Sequence, residues 1–221
     1  LAKGASVTTA FDMQTTPVTQ HQWATIMSTN PSRYQSGTNK LTLRVNDVSL
    51  TMEPDNPVEN CPVEDVKKFL GRINSGVEGW HYDLPTVAEW QLVASDHGRR
   101  TWNDMVSSDV QVTYGWVTSQ RHSGTHPVAG RPALEVDGQP IWDLFGHVEQ
   151  LAWLGSEVVQ LGGAIDDVWP YAFLPRSHPR YNVATGFRLV KRPGPYPLRP
   201  HRRNLWNRLW KDLARRSPGG I

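Results

Sequence analysis

Cysteine, the residue type with the widest chemistry, occurs once in this sequence. Cys61 is the only thiol among 221 residues. The chain therefore cannot form an intrachain disulfide or a four-cysteine zinc site, and it cannot catalyse a reaction that needs two of its own thiols. It lies in an apolar stretch, where a lone thiol is typical of a small buried side chain without reactivity. We therefore expect no thiol chemistry.

Two further groupings contain residue types that bind metals or transfer protons. His122 and His126 lie four residues apart on either side of a glycine-containing loop. Such a loop does not fix the two side chains side by side as a helix would, and no third metal ligand is evident. Asp166 and Asp167 lack a partner for acid–base work, and the sequence has no Gly-x-Ser-x-Gly, phosphate-loop or dinucleotide fingerprint. Nothing in these patterns indicates a hydrolase.

Length and composition are typical of one globular domain. The chain is 38% hydrophobic and 20% charged, with a mean hydropathy of -0.51. No apolar run approaches the roughly 18 residues that span a bilayer, so we expect no integral membrane segment. The chain begins at Leu1, which predicts removal of an N-terminal segment, either a cleaved export signal or a trimmed end. The scarcity of cysteine fits the periplasm, which we favour, and also the cytoplasm.

Charge is distributed unevenly along the chain. Residues 1–190 carry 14 Lys and Arg against 20 Asp and Glu, whereas residues 191–221 carry nine basic residues and one acid, Asp212. A basic tail of this kind can bind an anionic lipid surface, an acidic partner or the acidic body of its own chain. We expect peripheral membrane or lipoprotein association as one possible role of the tail, and no nucleic acid partner.

Three segments combine a helix start signal with apolar residues at helical spacing. Thr19 with Gln22, and Thr86 with Glu89, are capping-box patterns. Pro62 fits the first turn of the remaining helix, because a proline there loses no hydrogen bond. The apolar stripe of that helix consists of Val63, Val66, Phe69, Leu70 and Ile73.

The chain from residue 98 onwards predicts short strands among ordered loops. Residues 98–163 are rich in Gly, Pro, Ser and isolated tryptophans, with short apolar pieces at 111–117, 127–129 and 141–145. Residues 157–161 and 186–190 are predicted as the last two strands.

The tail predicts an arm followed by a helix. Its prolines disfavour helix interiors and central strands, and they occur at Pro193, Pro195, Pro197 and Pro200. After them, apolar residues fall on one face of a basic helix. We expect this helix to dock onto the domain, another protein or an anionic membrane through Trp206, Leu209, Trp210 and Leu213.

Seven blocks of sequence occur in the order found in one protein family. They are TPVTQHQW at 16–23 with NPS at 30–32, NPVE at 56–59, LPTVAEW at 84–90, HPV at 126–128, WDLFG at 142–146, GG at 162–163 and GFRL at 186–189. Along nearly all of residues 10–190 the sequence resembles the formylglycine-generating enzymes, or sulfatase-modifying-factor domains. The resemblance implies an α+β fold, a variant of the C-type lectin fold with short helices packed on small twisted antiparallel sheets and much ordered loop. It implies one domain over residues 1–190, followed by the arm and helix at 191–221.

The chain departs from the family at the reactive centre. The resemblance implies a copper-binding pair of thiols just after the Gly-Gly block, and those positions here hold Asp167 and Ala172. It also implies a calcium-binding asparagine where this chain has His147, a poor ligand for a hard cation. Asp143 and Glu149 could still build a different calcium site. We therefore expect no formylglycine generation and no catalytic residues, with calcium near Asp143, His147 and Glu149 as the one cofactor to test.

The segment that corresponds to residues 164–185 forms much of the exposed binding surface in the family's fold. We call it the recognition segment; here it combines aromatic and arginine side chains, a composition typical of recognition surfaces. The expected binding residues are Asp166, Asp167, Trp169, Tyr171, Phe173, Arg176, His178, Arg180 and Tyr181. For Trp169 and Phe173, a place in the core is the alternative.

These features predict a non-catalytic, protein-binding or regulatory protein, exported to the periplasm of a bacterium, with a kinase or receptor of a signalling pathway as its partner. The resemblance extends in kind to cysteine-less periplasmic members that act upstream of the threonine kinase controlling type VI secretion. One alternative is a divergent cofactor-dependent oxidoreductase of the same fold, of the siderophore-maturation type. Another is a ligand-displaying binding protein of the same fold, and the basic tail argues against this alternative.

Overall fold

The structure, a computed structural model, describes residues 7, 9–35, 37, 39–100, 110, 113–116, 124–164, 175 and 184–194. In this part of the chain the helices are α1 (Gln20–Met27), α2 (Val63–Asn74) and α3 (Val87–Ala94). The strands are β1 (Asp12–Met13), β2 (Leu41–Val45), β3 (Val48–Met52), β4 (Trp80–Asp83), β5 (Leu134–Val136), β6 (Gln139–Ile141), β7 (Glu149–Leu154), β8 (Glu157–Leu161), β9 (Thr185–Gly186) and β10 (Val190–Pro193). None of the described helices is long and apolar enough to cross a bilayer.

Both capping boxes predicted from the sequence are confirmed. The Thr19 hydroxyl accepts the N–H of Gln22 at 3.2 Å, and the Gln22 side chain accepts the N–H of Thr19 at 3.0 Å, where α1 begins. Thr86 and Glu89 make the same reciprocal pair at the start of α3. Each box satisfies two backbone donors that a helix start leaves without intrahelical partners.

Helix α2 begins after Pro62 and buries the predicted stripe, whose fully covered members are Val66, Phe69, Leu70 and Ile73. Phe69 stacks on Trp23 of α1 with ring centroids 5.3 Å apart, and Phe187 packs edge-on against both rings. Offset and edge-to-face ring pairs stabilise a core beyond the area they bury. The three rings therefore fix α1, α2 and the chain after β9 against one another.

The strands form small sheets. Sheet β1-β10-β4 is antiparallel and brings the first and last described strands together. The pairs β2–β3 and β5–β6 are antiparallel hairpins. In the sheet β8-β7-β9, strand β7 pairs antiparallel with β8 and parallel with β9. The predicted α+β class with short helices and small sheets is confirmed, and the β7–β9 pair is an exception to its antiparallel pairing.

Strand β7 separates two hydrophobic clusters. Successive side chains of a strand point to opposite faces, so Leu151 enters the cluster of α1 and α2, whereas Ala152 enters the cluster of α3. In β8 the same alternation puts Val158 on the first side and Val159 on the second. Trp90 of α3 is fully buried in the second cluster.

The strand assignments differ from the sequence analysis in several places. Residues 113 and 114 are helical rather than part of a strand. Residues 127–129 form loop and turn, and residues 142–146 follow the end of β6 as loop and bend. The segment predicted as one strand at 186–190 holds the last residue of β9 and the first residue of β10. Between them, the carbonyls of Phe187 and Leu189 accept hydrogen bonds from residues 18 and 14, which lie outside the strands. Strand β10 continues to Pro193, so paired backbone extends three residues beyond residue 190.

Candidate functional site

Arg188, which follows β9, has a fully buried guanidinium whose hydrogen bonds end inside the domain. Its Nε donates to Gln150 Oε1 at 2.7 Å, and its Nη2 donates to the carbonyls of Trp142 and Asp143 at 2.8 and 2.9 Å. Its Nη1 donates to the carbonyl of Gln14 at 3.1 Å. Burial lowers the pKa of Arg188 to about 10, against the opposing effect of the Asp143 charge. The guanidinium is therefore still charged at neutral pH.

The carboxylate of Asp143 is buried beside this guanidinium and bonded to other donors. Its Oδ2 accepts the N–H of Ala129 at 2.7 Å, and its Oδ1 accepts the indole N–H of Trp116 at 3.3 Å. Burial alone would raise the pKa of Asp143, but His147, the Ala129 N–H and the charge of Arg188 together hold it below its usual range. Asp143 is thus an ionised group whose bonds are internal.

His147 is buried four residues after Asp143 and resembles the histidine of an acid–base dyad. Its Nδ1 lies 3.6 Å from Asp143 Oδ1, and its Nε2 accepts the backbone N–H of His126 at 2.8 Å. A general base needs a nitrogen that can take a proton from a reacting group. Because Nε2 already accepts a hydrogen bond inside the domain, this arrangement does not provide that base.

The residues present do not fit the calcium site expected near Asp143, His147 and Glu149. Calcium takes oxygen ligands, yet both oxygens of Asp143 accept protein donors, and His147 offers nitrogen. Glu149 Oε2 lies 3.4 Å from the Thr185 hydroxyl, which donates to it. Within the described residues, no group of three or more His, Cys, Asp or Glu side chains is placed to hold a metal ion.

Trp116 joins this polar region to the two ends of the recognition segment. Its ring stacks on His126, with centroids 4.0 Å and planes 11° apart, and the Arg131 guanidinium lies 4.5 Å from the same ring. Trp116 also packs against Ala164 and Ala184, which lie at the ends of the segment. We call Trp116, His126 and Arg131 the aromatic–cationic cluster. Sequence reasoning missed it, because the isolated tryptophan was assigned to a strand.

The residues expected to bind a partner lie outside the part of the chain that the structure describes. This applies to Asp166, Asp167, Trp169, Tyr171, Phe173, Arg176, His178, Arg180 and Tyr181, and to the tail residues Trp206, Leu209, Trp210 and Leu213. His122 is outside it as well, so its pairing with His126 stays a hypothesis. Their roles remain predictions.

Cys61 is buried in the cluster of α1 and α2, which confirms the predicted burial. Its Sγ lies 3.6 Å from the carbonyl oxygen of Glu59. Burial, with the charges of Glu59 and Asp65, raises the pKa of the Cys61 thiol well above its usual value. A thiolate is the reactive form of cysteine, so this position disfavours reactivity.

Glu59 is a buried carboxyl that sequence reasoning treated only as part of the NPVE block. Its side chain is inaccessible to solvent, and its Oε1 accepts the N–H of Tyr34 at 2.9 Å. Burial raises the pKa of Glu59 to about 7, against the N–H donors of Tyr34 and Arg33. The sequence carries no local signal of this burial, because Asn56 and Asn60 place polar side chains on both sides of Glu59.

The chain matches a family over most of its length. A family model of the sulfatase-modifying factor enzyme 1-like domain covers residues 2–193. The chain is also similar to a curated protein, the chaperone protein LppX of Paenibacillus barcinonensis, with 28% identity over 176 residues. That alignment covers 62% of this chain and 59% of the relative, so less than two thirds of the relative's length is matched.

Two solved structures share the fold. Treponema denticola variable protein 1 has a TM-score of 0.60 at 19% identity, with 83% of this chain and 85% of that chain covered. CarF has a TM-score of 0.57 at 21% identity, with 84% and 87% covered. Identities this low show a common fold alone, and that fold agrees with the one implied by the seven blocks. With the match over residues 2–193, the chain belongs to the family of sulfatase-modifying factor enzyme 1-like domains.

Proposed function

We propose that this protein is a non-catalytic member of its family and works by binding another protein. The observation that carries the proposal is the position of its single thiol. Cys61 is buried in the core with a raised pKa, whereas the chemistry implied by the resemblance needs a copper-binding pair of thiols. One cysteine in the whole chain cannot supply that pair. The closed Asp143–His147 arrangement offers no base in its place.

A protein ligand is supported by two features of different kinds. The curated relative is named a chaperone, and chaperones act on other polypeptides. The recognition segment is rich in aromatic and arginine side chains, which contribute most of the energy of many protein interfaces. A polypeptide partner therefore accounts for both better than a small molecule does.

The aromatic–cationic cluster supports the recognition segment as the place of binding. Trp116 packs against Ala164 and Ala184 and carries His126 and Arg131 on its ring. Aromatic and guanidinium groups at the base of the segment would extend an interface of the same composition. We include the cluster in the proposed binding surface.

The finer part of the proposal concerns pathway and compartment. We propose a kinase or receptor of a signalling pathway as the partner, in the periplasm and upstream of type VI secretion. Its support is the resemblance in kind to cysteine-less periplasmic family members. The basic tail at 191–221 fits an additional contact with an acidic partner or an anionic membrane surface.

The test is affinity capture from the native organism with the full chain and with a chain that ends at Gly194, read by mass spectrometry. The truncated chain retains Arg192, whose guanidinium pairs with the buried carboxylate of Glu89, and the Gly194 N–H that bonds to Gly79. A partner held by both chains would support binding by the domain. A partner lost on truncation would place it on the tail instead.

Two tryptophan variants then test the surface itself. Trp169→Ala removes a large ring from the recognition segment, and Trp80→Ala removes one from β4, where Trp80 is 46% exposed. We expect the partner to be lost with Trp169→Ala and retained with Trp80→Ala. Equal capture by both variants would contradict the proposed surface, and capture of no protein by the full chain would contradict protein binding.

A further inference from the structure

Glu59 connects two parts of the domain that have no backbone ladder between them. Residues 31–35 contain no helix or strand, and we call them the latch segment. Glu59 Oε1 accepts the N–H of Tyr34 at 2.9 Å, and the Glu59 N–H is donated to the Ser32 hydroxyl at 3.3 Å. Glu59 Oε2 is buried and makes no hydrogen bond to the described residues.

Other side chains complete the attachment of the latch segment. Asn60 Nδ2 donates to the carbonyl of Pro31 at 3.1 Å, and Gln20 Nε2 donates to the carbonyl of Tyr34 at 2.9 Å. The attachment thus includes a few individual hydrogen bonds, and the one from the Tyr34 N–H ends on the Glu59 carboxyl. A change in the charge of this one residue therefore acts directly on the closed position.

Burial dominates the electrostatics of Glu59. It raises the pKa of this carboxyl to about 7, while the N–H donors of Tyr34 and Arg33, the Ser32 hydroxyl and the charge of Arg33 act in the opposite direction. Among the described residues, the Cys61 thiol also lies in the electrostatic field of Glu59, which contributes to its raised pKa. If the segment opened, Glu59 would meet water and titrate near its ordinary value of 4.5.

We propose that Glu59 is a proton-controlled latch: its neutral carboxyl keeps residues 31–35 closed, and loss of that proton to solvent favours their release. Keeping an ionised carboxylate buried away from water costs free energy. Local opening of a short irregular segment hydrates it without unfolding the rest of the domain. Tyr34 would leave with the segment. Its ring lies where a side chain on Gly124 would touch it, so release uncovers the loop that leads to His126 of the aromatic–cationic cluster.

Hydrogen exchange of the full chain, followed by mass spectrometry on peptides that span residues 30–36, tests the latch. Wild type and Glu59→Gln are compared at about pH 6 and about pH 8, so that intrinsic exchange cancels at each pH. Between these values the opening equilibrium of the wild type should rise about tenfold, since the closed carboxyl titrates near 7 and the open one near 4.5. Glu59→Gln should show no such rise.

The control is Glu64→Gln, which neutralises an exposed carboxylate of α2 that pairs with Lys67. It should keep the wild-type dependence on pH. An equal response in wild type and Glu59→Gln would overturn the proposal. If Glu59→Gln fails to fold, the wild type decides alone: loss of protection at high pH confined to residues 30–36 supports the latch, and loss shared with residues 63–74, or no loss, overturns it.

Discussion

The guanidinium of Arg188 donates to the backbone carbonyl of Asp143 at 2.9 Å, while the Asp143 carboxylate accepts the N–H of Ala129 at 2.7 Å. The arginine therefore holds the main chain at Asp143, and the carboxylate of Asp143 holds the main chain at Ala129. Through its other donors Arg188 also fixes Gln150 of β7 and the carbonyl of Gln14. Its planar fork of donors is the feature that a lysine ammonium cannot reproduce.

Arg188→Lys should therefore destabilise the domain strongly. The substitution keeps the charge but leaves several buried carbonyls without donors, and we expect a loss of about 3–5 kcal/mol in the free energy of unfolding. Urea unfolding measures it. The matched control is Arg44→Lys in the exposed β2–β3 hairpin, where the guanidinium pairs with Asp47 at the surface. The control should keep the wild-type midpoint, and a midpoint shift as large as that of Arg188→Lys would contradict this account.

Gly186→Ala tests the close contact between β9 and the loop before α2. An added Cβ would overlap the carbonyl oxygen of Val58 and lie 2.9 Å from Val148 Cγ2, so the backbone must shift, at a cost of about 1–3 kcal/mol. Gly71→Ala in α2 has no atom within 4 Å of the new Cβ and should stabilise by about 1 kcal/mol, because alanine favours helices. Measured by thermal unfolding, the midpoint should fall for Gly186→Ala and rise for Gly71→Ala. A fall in both midpoints would contradict this account of the two sites.

Arg192→Met should expose the role of the Arg192–Glu89 pair. Arg192 Nε donates to Glu89 Oε1 at 2.8 Å. Burial would raise the pKa of Glu89, but the hydrogen bonds and charge of Arg192, with those of Thr86, hold it below 4.5. At neutral pH we expect a loss of about 3 kcal/mol, because the variant leaves a buried carboxylate without its partner.

The same pair predicts the pH dependence of that loss. A depressed pKa contributes stability that is present above the ordinary value of 4.5 and disappears as pH falls through the folded value. The difference between wild type and Arg192→Met should therefore shrink in acid. Lys191→Met, next along β10, is the control, since Lys191 lies 3.5 Å from the exposed Asp12. A difference that is constant across pH would count against the pair.

Calcium should have little effect on stability. The Asp143 carboxylate already accepts the donors of Ala129 and Trp116, so adding calcium chloride or a calcium chelator should leave the thermal midpoint unchanged. A midpoint that rises with calcium, and no longer does so in Asp143→Asn, would show that this region binds the ion after all. Glu64→Gln on exposed α2 serves as the charge-matched control.

The parts of the fold that could be predicted from sequence depend on neighbouring residues. The capping boxes at Thr19 and Thr86 join residues three positions apart, and the stripe of α2 follows one helical period, so both are visible in a short window of sequence. The order of the seven blocks then identified the fold.

What the sequence did not reveal depends on contacts between distant segments. Arg188 meets Gln14 across 174 positions, and Trp116 meets His126 and Arg131 only because their loops converge. The burial of Glu59 likewise requires the latch segment to lie over it. No local pattern marks such residues, so the electrostatics of the site could not be predicted before the fold was known.

The most direct test of the central claim is affinity capture by Cys61→Ala beside wild type at equal protein concentration. Since Cys61 is buried and is the only thiol in the chain, we predict that the variant captures the same partner in the same amount. Loss of the partner by a Cys61→Ala chain that still shows wild-type circular dichroism and cooperative thermal unfolding would contradict binding without thiol chemistry.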